Sequence, residues 1–534
     1  MWPYGSVQLA GCQNAVILRS HFVGAFVRKK PRLQRSVLAL VVAAGLAACA
    51  SGPDFRQPAA PATSSYTSTA LPERTAAAPG VTGGAAQQFV AGQDLPAMWW
   101  QLFGSPALDE LVRAALAQNP SMAAAEASLR QAQEVYKAQS GSLNYPSVNG
   151  QLGVAREKLA PASAGNGAGV FTLYNASVNV SYTPDVFGAS RRTLEGAQAQ
   201  VDYQRFQVEA TYLTLSANVV TTAIRAASLR AQLQATQEVL DALSKQLAVI
   251  EKQFELGAIP RTTLLSQRNQ VAQLRASVPP LEKALAQSRH QLAALAGRLP
   301  GEGGLPEFTL DTLTLPQQLP LTLPSALVRQ RPDIRASEEQ LHAASAAIGV
   351  ATAAQYPQLT LSGSYGSSAQ SFGKLFDAET TAWSLASGLT APLFNGGALS
   401  AKKRAAEAAY DGAAAQYRAT VLSAFQEVAD SLRALESDAA ALKAQADADA
   451  LAGEALALAT QQYKLGGISY LALLDAQRSY QQAHVALVQA QAARYADTAA
   501  LLQALGGGWW NRNGGMPAAS TVSAAPVYGA GGSR

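Results

Sequence analysis

The sequence predicts a mainly α protein that contributes four strands to a membrane β-barrel, built as two tandem copies of one helix–strand–strand–helix unit. Three observations predict it. Landmarks punctuated by Pro and Gly recur in the same order roughly 209 residues apart. Each copy holds two short segments of alternating polarity, and each holds a helical stretch far longer than a globular helix.

The duplication is visible residue by residue. Gln253-Phe254-Glu255-Leu256-Gly257 recurs as Gln462-Tyr463-Lys464-Leu465-Gly466, and Leu292 and Gly297 map onto Leu501 and Gly506 at the same offset. Tyr145-Pro146 matches Tyr356-Pro357, Asn119-Pro120 matches Arg331-Pro332, and Pro184–Gly188 matches Pro392–Gly396. The order never breaks, so there are two neighbouring copies and not a longer array. They divide the chain into a leader (1–48), an N-terminal segment (49–104), repeat 1 (105–297), a linker (298–325), repeat 2 (326–506) and a tail (507–534). The linker is rich in Pro and Gly, and the Gly-, Ala- and Ser-rich tail is expected to be disordered.

Each copy follows one plan. A helix (121–144 and 333–355) ends at the Tyr-Pro pair, and two strands follow (near 147–155 and 174–183, then 358–366 and 382–391). A very long helix (189–255 and 398–464), a Gly-centred turn and a returning helix complete it. In the second segment, Tyr174, Ala176, Val178, Val180 and Tyr182 share one face, while Asn175, Ser177, Asn179, Ser181 and Thr183 share the other. A soluble sandwich strand would look similar. Tyr at both ends of the apolar side suits a barrel strand with aromatic girdles. At 1.5 Å per residue the long helices reach roughly 100 Å. Leu240, Leu243, Leu247, Ile250 and Phe254, like Val485, Val488, Ala492, Tyr495, Ala499 and Leu502, keep the 3-and-4 spacing of a coiled-coil seam.

Composition excludes other classes. The 41 basic and 36 acidic residues leave a thin excess of +5, part of it in the leader, so no nucleic-acid surface is expected. His21, His290, His342 and His484 lack partners at metal-ligand spacing, and no phosphate loop or nucleophile elbow is present. No enzyme and no metal are therefore expected. With only Met98, Met122 and Met516 after the leader, a metal relay is not expected either.

The N-terminus reads as an export signal. Arg28, Lys29, Lys30, Arg32 and Arg35 precede an apolar run, Val37 to Ala48, that is too short to span a bilayer. Leu46-Ala47-Ala48-Cys49 resembles the lipobox of bacterial lipoproteins, with lipid on Cys49 as the one covalent group and no other cofactor; an ordinary signal-peptidase site is the alternative. Ala50, in place of an Asp, implies sorting to the outer membrane. Residues 1–27 make the leader unusually long, and a start near Val27 is one explanation. A precursor peptide covering Trp2–Val23 in mass spectrometry would refute it.

Four strands cannot enclose a lumen, and an open edge in lipid would strand N–H and C=O groups. Copies must share the barrel. Two would give an eight-stranded barrel plugged by side chains; three give twelve strands and a plausible channel; four are not excluded by geometry.

Arg331-Pro332-Asp333-Ile334-Arg335-Ala336 through Ile348-Gly349-Val350-Ala351 to Tyr356-Pro357 resembles the signature of TolC-type outer-membrane factors. Gly52-Pro53-Asp54-Phe55, Trp99-Trp100 with Phe103 and Leu108-Asp109, and Leu473-Leu474-Asp475-Ala476-Gln477-Arg478 agree with it. The pattern, over about 50–507, is similar to the lipoprotein branch serving resistance-nodulation-division efflux systems, the NodT/OprM group. The resemblance implies a homotrimer with an outer-membrane barrel, a periplasmic helical tunnel and an equatorial belt from 298–325 and the residues near the C-terminus. The implied partners are outer-membrane lipid, an inner-membrane transporter and a periplasmic adaptor. A periplasmic coiled-coil adaptor or scaffold is the alternative, though it lacks paired strands repeated twice.

A duct needs a gate where the helices turn back. Those turns hold Gly257, Gly466 and Gly467, the expected adaptor contacts. The resemblance places an aperture acid at Asp475 and a bracing tyrosine at Tyr463; three carboxylates around an axis would favour cations. Their repeat-1 counterparts are Ser266 and Phe254. Where the family often has an acidic partner this chain has Thr262 and Thr263, and a ring from Leu471 or Leu474 is a further expectation.

Overall fold

The computed structural model describes residues 51–158 and 169–512. The leader, Cys49 and residues 513–534 lie outside them. Among the described residues no helix is long and apolar enough to cross a membrane.

Repeat 1 begins with α1 (Pro106–Gln118), whose N-cap Ser105 accepts from the Leu108 N–H and whose first position is Pro. Asn119 then caps α2 (Pro120–Asn144), accepting from the Ser121 N–H at 2.8 Å. Strands β2 (Ser147–Lys158) and β3 (Val170–Tyr182) lead into α3 (Ala189–Glu255), which turns into α4 (Arg261–Leu295). Repeat 2 repeats the plan. Helix α5 (Pro324–Gln330) precedes α6 (Pro332–Ala353), β5 (Gln358–Ala369), β6 (Thr381–Thr390), α7 (Ala398–Lys464) and α8 (Tyr470–Ala504). Both long helices have 67 residues and both returning helices 35. The long helices match their expected bounds; β2 and β5 run on to Lys158 and Ala369, past the expected ends at 155 and 366, and β3 begins at Val170 where 174 was expected. Pro279-Pro280 lies inside α4, where two missing N–H donors would be expected to bend a helix. The aligned positions of α8 are Val488 and Gln489.

The sheet runs β2-β3-β5-β6, antiparallel throughout. Its register extends the alternation seen in β3 across all four strands. Val148, Leu152 and Val154 share a face with Tyr174, Val178 and Val180, then with Leu361 and Tyr365, then with Trp383, Leu385 and Leu389. Tyr365 stands directly opposite Trp383. The other face holds Gln151, Asn175, Ser177, Asn179, Ser362, Ser364 and Ser384.

Helices continue the same side-by-side order. On the sheet side, α2 packs on α3, α3 on α6 and α6 on α7; towards the hairpin tips, α4 packs on α3, α3 on α8 and α8 on α7. Each tier is thus a four-membered row. One border consists of β2, α2 and α4, and the other of β6 and α7.

The main apolar core lies at mid-height. Trp99, Trp100, Phe103, Leu108 and Val112 pack with Val219, Val220 and Ile224 of α3, Phe308 to Leu319 of the linker, Leu432 of α7 and Leu501 and Leu502 of α8. The segment 298–325 and the residues near the C-terminus, from which the resemblance implies a belt, meet in this core together with residues from 95–115. Short β1 (Gln88–Ala91) and β4 (Gln318–Leu321) pair in parallel beside it, neither foreseen from sequence. The expectation that the tail is disordered from residue 507 is corrected for 507–512. The indole of Trp509 donates to Gln330 O at 2.6 Å and that of Trp510 to Asp94 at 2.9 Å, while Arg512 pairs with buried Glu209. A glycine-rich string gave no hint that two tryptophans would anchor it.

The N-terminal segment runs along this wall as a strap. Arg192 receives it, donating to Ser51 O at 3.2 Å and pairing with Asp54 at 2.6 Å. Phe55 stacks on His342 with ring centroids 4.3 Å apart. Gly349 has to be Gly, because a Cβ there would stand 2.7 Å from the Arg192 side chain and 2.9 Å from Ser51 O. Lower down, buried Arg494 donates to Gly83 O, Ala85 O, Thr75 Oγ1 and Gln87 Oε1.

Candidate gate at the hairpin tips

Both hairpins turn by the same device. In the first, Ala258 N–H donates to Gln253 O at 2.8 Å and Gly257 N–H to Phe254 O, with Gly257 at φ 73°. In the second, Gly467 N–H donates to Gln462 O at 2.8 Å and Gly466 N–H to Tyr463 O, with Gly466 at φ 75°. These paired bonds satisfy the last carbonyls of each long helix, and the positive φ explains why Gly stands there. Leu256 and Leu465 project from the turns, more than three-quarters exposed.

The structure sorts the expected gate residues. Asp475 lies one turn beyond Leu471 on α8, and both are exposed, at 65% and 63%. The nearest cation to Asp475 is Arg478, 3.9 Å away and itself half-exposed, so the carboxylate charge is only loosely compensated. Leu474 does not belong with them. It is 1% exposed, packed within the helical bundle, and the expectation that it lines a ring is corrected. Leu474 lies about 60° to one side of Leu471 round the helix and Asp475 about 40° to the other, so Leu474 turns into the bundle with Leu473 while Leu471 and Asp475 stay uncovered. Thr262 is exposed and Thr263 half-buried in the first turn of α4. Among the described residues neither hydroxyl bonds to Tyr463 or Asp475.

Tyr463 packs on a different partner. Its ring packs on Tyr470, centroids 5.4 Å apart. The Tyr470 hydroxyl donates across to Gln267 Oε1 of α4, and Gln267, fully buried, donates from Nε2 to Leu243 O of α3 at 3.0 Å. Burial raises both phenols above their ordinary values, and for Tyr470 the Tyr463 ring adds to the rise. A second bond joins the hairpins where Gln477 Nε2 of α8 donates to Gln246 Oε1 of α3, and a third where Gln489 donates to Gln232 at 3.2 Å. The two repeats are therefore clasped near their tips by neutral amides and a phenol. Sequence reasoning missed Tyr470, Gln267, Gln477 and Gln246. A signal existed: Gln267 sits between Leu264 and Val271 in a 3-and-4 seam, where an amide needs a buried partner.

Histidines isolated in sequence also acquire partners. His342 lies 3.1 Å from Glu195 and 3.2 Å from Glu339, and His484 of α8 lies 3.0 Å from Asp449 of α7. Burial alone would lower the pKa of His342, but hydrogen bonds to the two carboxylates outweigh it and push it up to about 9. Among the described residues no cluster could hold a metal ion.

A tandem helical bundle ending in a lopsided four-stranded sheet, polar on one face and aromatic-edged on the other, defines an outer-membrane channel subunit. The outer membrane efflux protein family model matches residues 111–298 and 323–507, one match to each repeat, and the chain belongs to that family. It is 33% identical over 418 residues to the pyoverdine export outer membrane protein OpmQ of Pseudomonas putida, covering 77% of this chain and 88% of the relative. It is 31% identical over 479 residues to the outer membrane protein OprJ of Pseudomonas aeruginosa, covering 89% and 96%. Among solved structures it resembles the outer-membrane channel OprN, with a TM-score of 0.78 at 27% identity over 86% of this chain and 100% of that one. The chain is thus an outer-membrane channel component of efflux machinery, of the TolC type, and not an enzyme.

Proposed function

We infer that three copies of this chain close into one continuous duct, anchored by lipid on Cys49, and that the duct receives substrates from an inner-membrane resistance-nodulation-division transporter through a periplasmic adaptor. The observation that carries the reading is the shared pair of borders. β2, α2 and α4 form one border at all heights, and β6 and α7 form the other. Every residue of β6 is exposed in the single chain, on both faces, which no isolated membrane strand could sustain. Joining the β6 border of one copy to the β2 border of the next is a head-to-tail contact, and such contacts close into rings. Twelve strands then surround a lumen lined by Ser, Asn and Gln, with Tyr, Trp and Leu turned to lipid. The adaptor docks at the turns holding Gly257, Gly466 and Gly467.

The gate forms at the tips, with Asp475 and Leu471 on the uncovered face of α8 and Tyr463, through Tyr470, bracing the closed arrangement. The neighbouring Thr262 and Thr263 shape the turn without locking it. Asp475→Ala is expected to raise single-channel conductance and weaken block by cations in planar bilayers. Unchanged conductance and unchanged block would remove Asp475 from the gate. Labelling with radioactive palmitate, abolished by Cys49→Ala, tests the anchor separately.

A further inference from the structure

We propose that the seam at which α7 of one copy meets α4 of the next, below the belt, is held by an arginine row on α4 facing an acidic row on α7, beside a strip of leucines packed against alanines. This deepens the ring reading and rests on it. The seam face of α7 is the side turned away from α8. It carries Ala444, Ala448, Leu451, Ala455 and Leu458, with Leu451 66% and Leu458 59% exposed in a single chain. The face of α4 turned away from α3 carries Leu265, half-exposed, then Ala272 and Ala276. Large residues on one helix against small ones on the other is the complementarity that close packing needs.

Heights along the wall agree. The two turns are five residues each, Leu256–Pro260 and Leu465–Ser469, so both hairpins measure from a common tip. At 1.5 Å per residue Leu451 stands about 20 Å from the tip, between Ala272 at about 17 Å and Ala276 at about 23 Å. Leu458, at about 9 Å, falls between Leu265 at about 6 Å and Ala272.

Charge follows the same spacing. Arg261, Arg268 and Arg275 are seven apart on α4, beside its seam face; Asp447 and Glu454 are seven apart on α7, beside its own. Because the helices run in opposite directions, both rows emerge on the same surface of the wall. Glu454, at about 15 Å, falls between Arg268 and Arg275 at about 11 and 21 Å, and Asp447 lies about 5 Å beyond Arg275. Arg268 shares Glu251 of its own chain at 2.9 Å. Among the described residues Arg261, Arg275, Asp447 and Glu454 have no ion-pair partner in their own chain, and all four are exposed. A second copy supplies the missing partners. The ring is then held by backbone ladders at the sheet and by screenable charges at the tips, so salt loosens the tip end first.

The test is disulfide trapping in outer membranes with full-length protein carrying Ala276→Cys and Leu451→Cys together. Oxidation is expected to give reducible dimer and trimer bands that neither single variant gives. Adding Arg275→Glu should lower the yield about two- to five-fold at low salt, and Glu454→Arg on top should restore it. Unheated protein that runs as a trimer but forms no disulfide-linked bands would overturn the seam and leave the ring standing. Unheated protein that runs as a monomer would overturn the ring and the seam with it. Equal yields with and without Arg275→Glu would overturn the ionic rows.

Discussion

Arg494 and its two acidic neighbours show how much a single buried cation organises. Its guanidinium is wholly buried, yet its hydrogen bonds all go to neutral acceptors of the strap, while Asp438 of α7 and Asp497 of α8 lie close by. Burial is the largest influence on Asp438, followed by its hydrogen bond to Asp497; together they push it up to about 7 against the opposing pull of Arg494. A carboxyl group whose pKa is higher folded than unfolded binds its proton more tightly in the fold. The stability it contributes is complete below about 4 and is lost as pH rises through about 7. Thermal unfolding of the wild-type protein should therefore fall between pH 5 and pH 8 more steeply than that of Asp438→Asn, which keeps the shape without the charge. Parallel profiles would mean that the fold does not hold the Asp438 proton more tightly than the unfolded chain does. Arg331 plays a comparable part, pairing with Asp333 and Glu427 and donating to Ala504 O, so the Arg-Pro-Asp motif ties α6, α7 and α8 together at the belt.

Among elements, the hairpins carry the informative differences between the copies. Tyr470 and Gln477 belong to α8, Gln267 and Gln246 to repeat 1, so the clasp exists only because the copies diverged. Tyr470→Phe removes a hydroxyl that satisfies a buried amide, a loss of about 1–3 kcal/mol. Amide exchange in peptides spanning 243–270 and 463–478 should quicken in that variant while the belt stays protected. Unaltered exchange would show that the clasp does not hold the tips. Helices and strands were legible because their periods persist over many residues: ten alternating positions in 174–183, and seams such as Leu240 to Phe254. Helix ends were legible where Pro or Gly fixed them, as at Tyr145-Pro146 and Gly257. Short pieces without a period were not. β1 and β4 are four residues each and exist through their mutual pairing, and the turn at 507–512 exists because Trp509 and Trp510 find Gln330 and Asp94. At the hairpin tips, the positions of Asp475 on α8 and of Tyr463 beside the second turn were legible in the sequence. Leu474 was misplaced because which side of α8 is covered depends on the neighbouring helices, and the Gln clasp was missed because its partners lie some 200 residues apart in sequence.

At the largest scale, the described residues form a sheet and a helical wall with matched borders. The sheet has two open edges, the helical wall has two uncovered flanks, and each edge stands above the flank it would continue. Charge and size are complementary across those flanks below the belt, and polarity is divided cleanly between the two faces of the sheet above it. A single chain leaves these edges and flanks uncovered, and the proposed ring would pair each with its counterpart on the next copy. The most direct test is the number of chains in the detergent-extracted, folded protein, counted by native mass spectrometry. Three copies in one particle are expected, and a folded, detergent-stable single chain would contradict the closed ring.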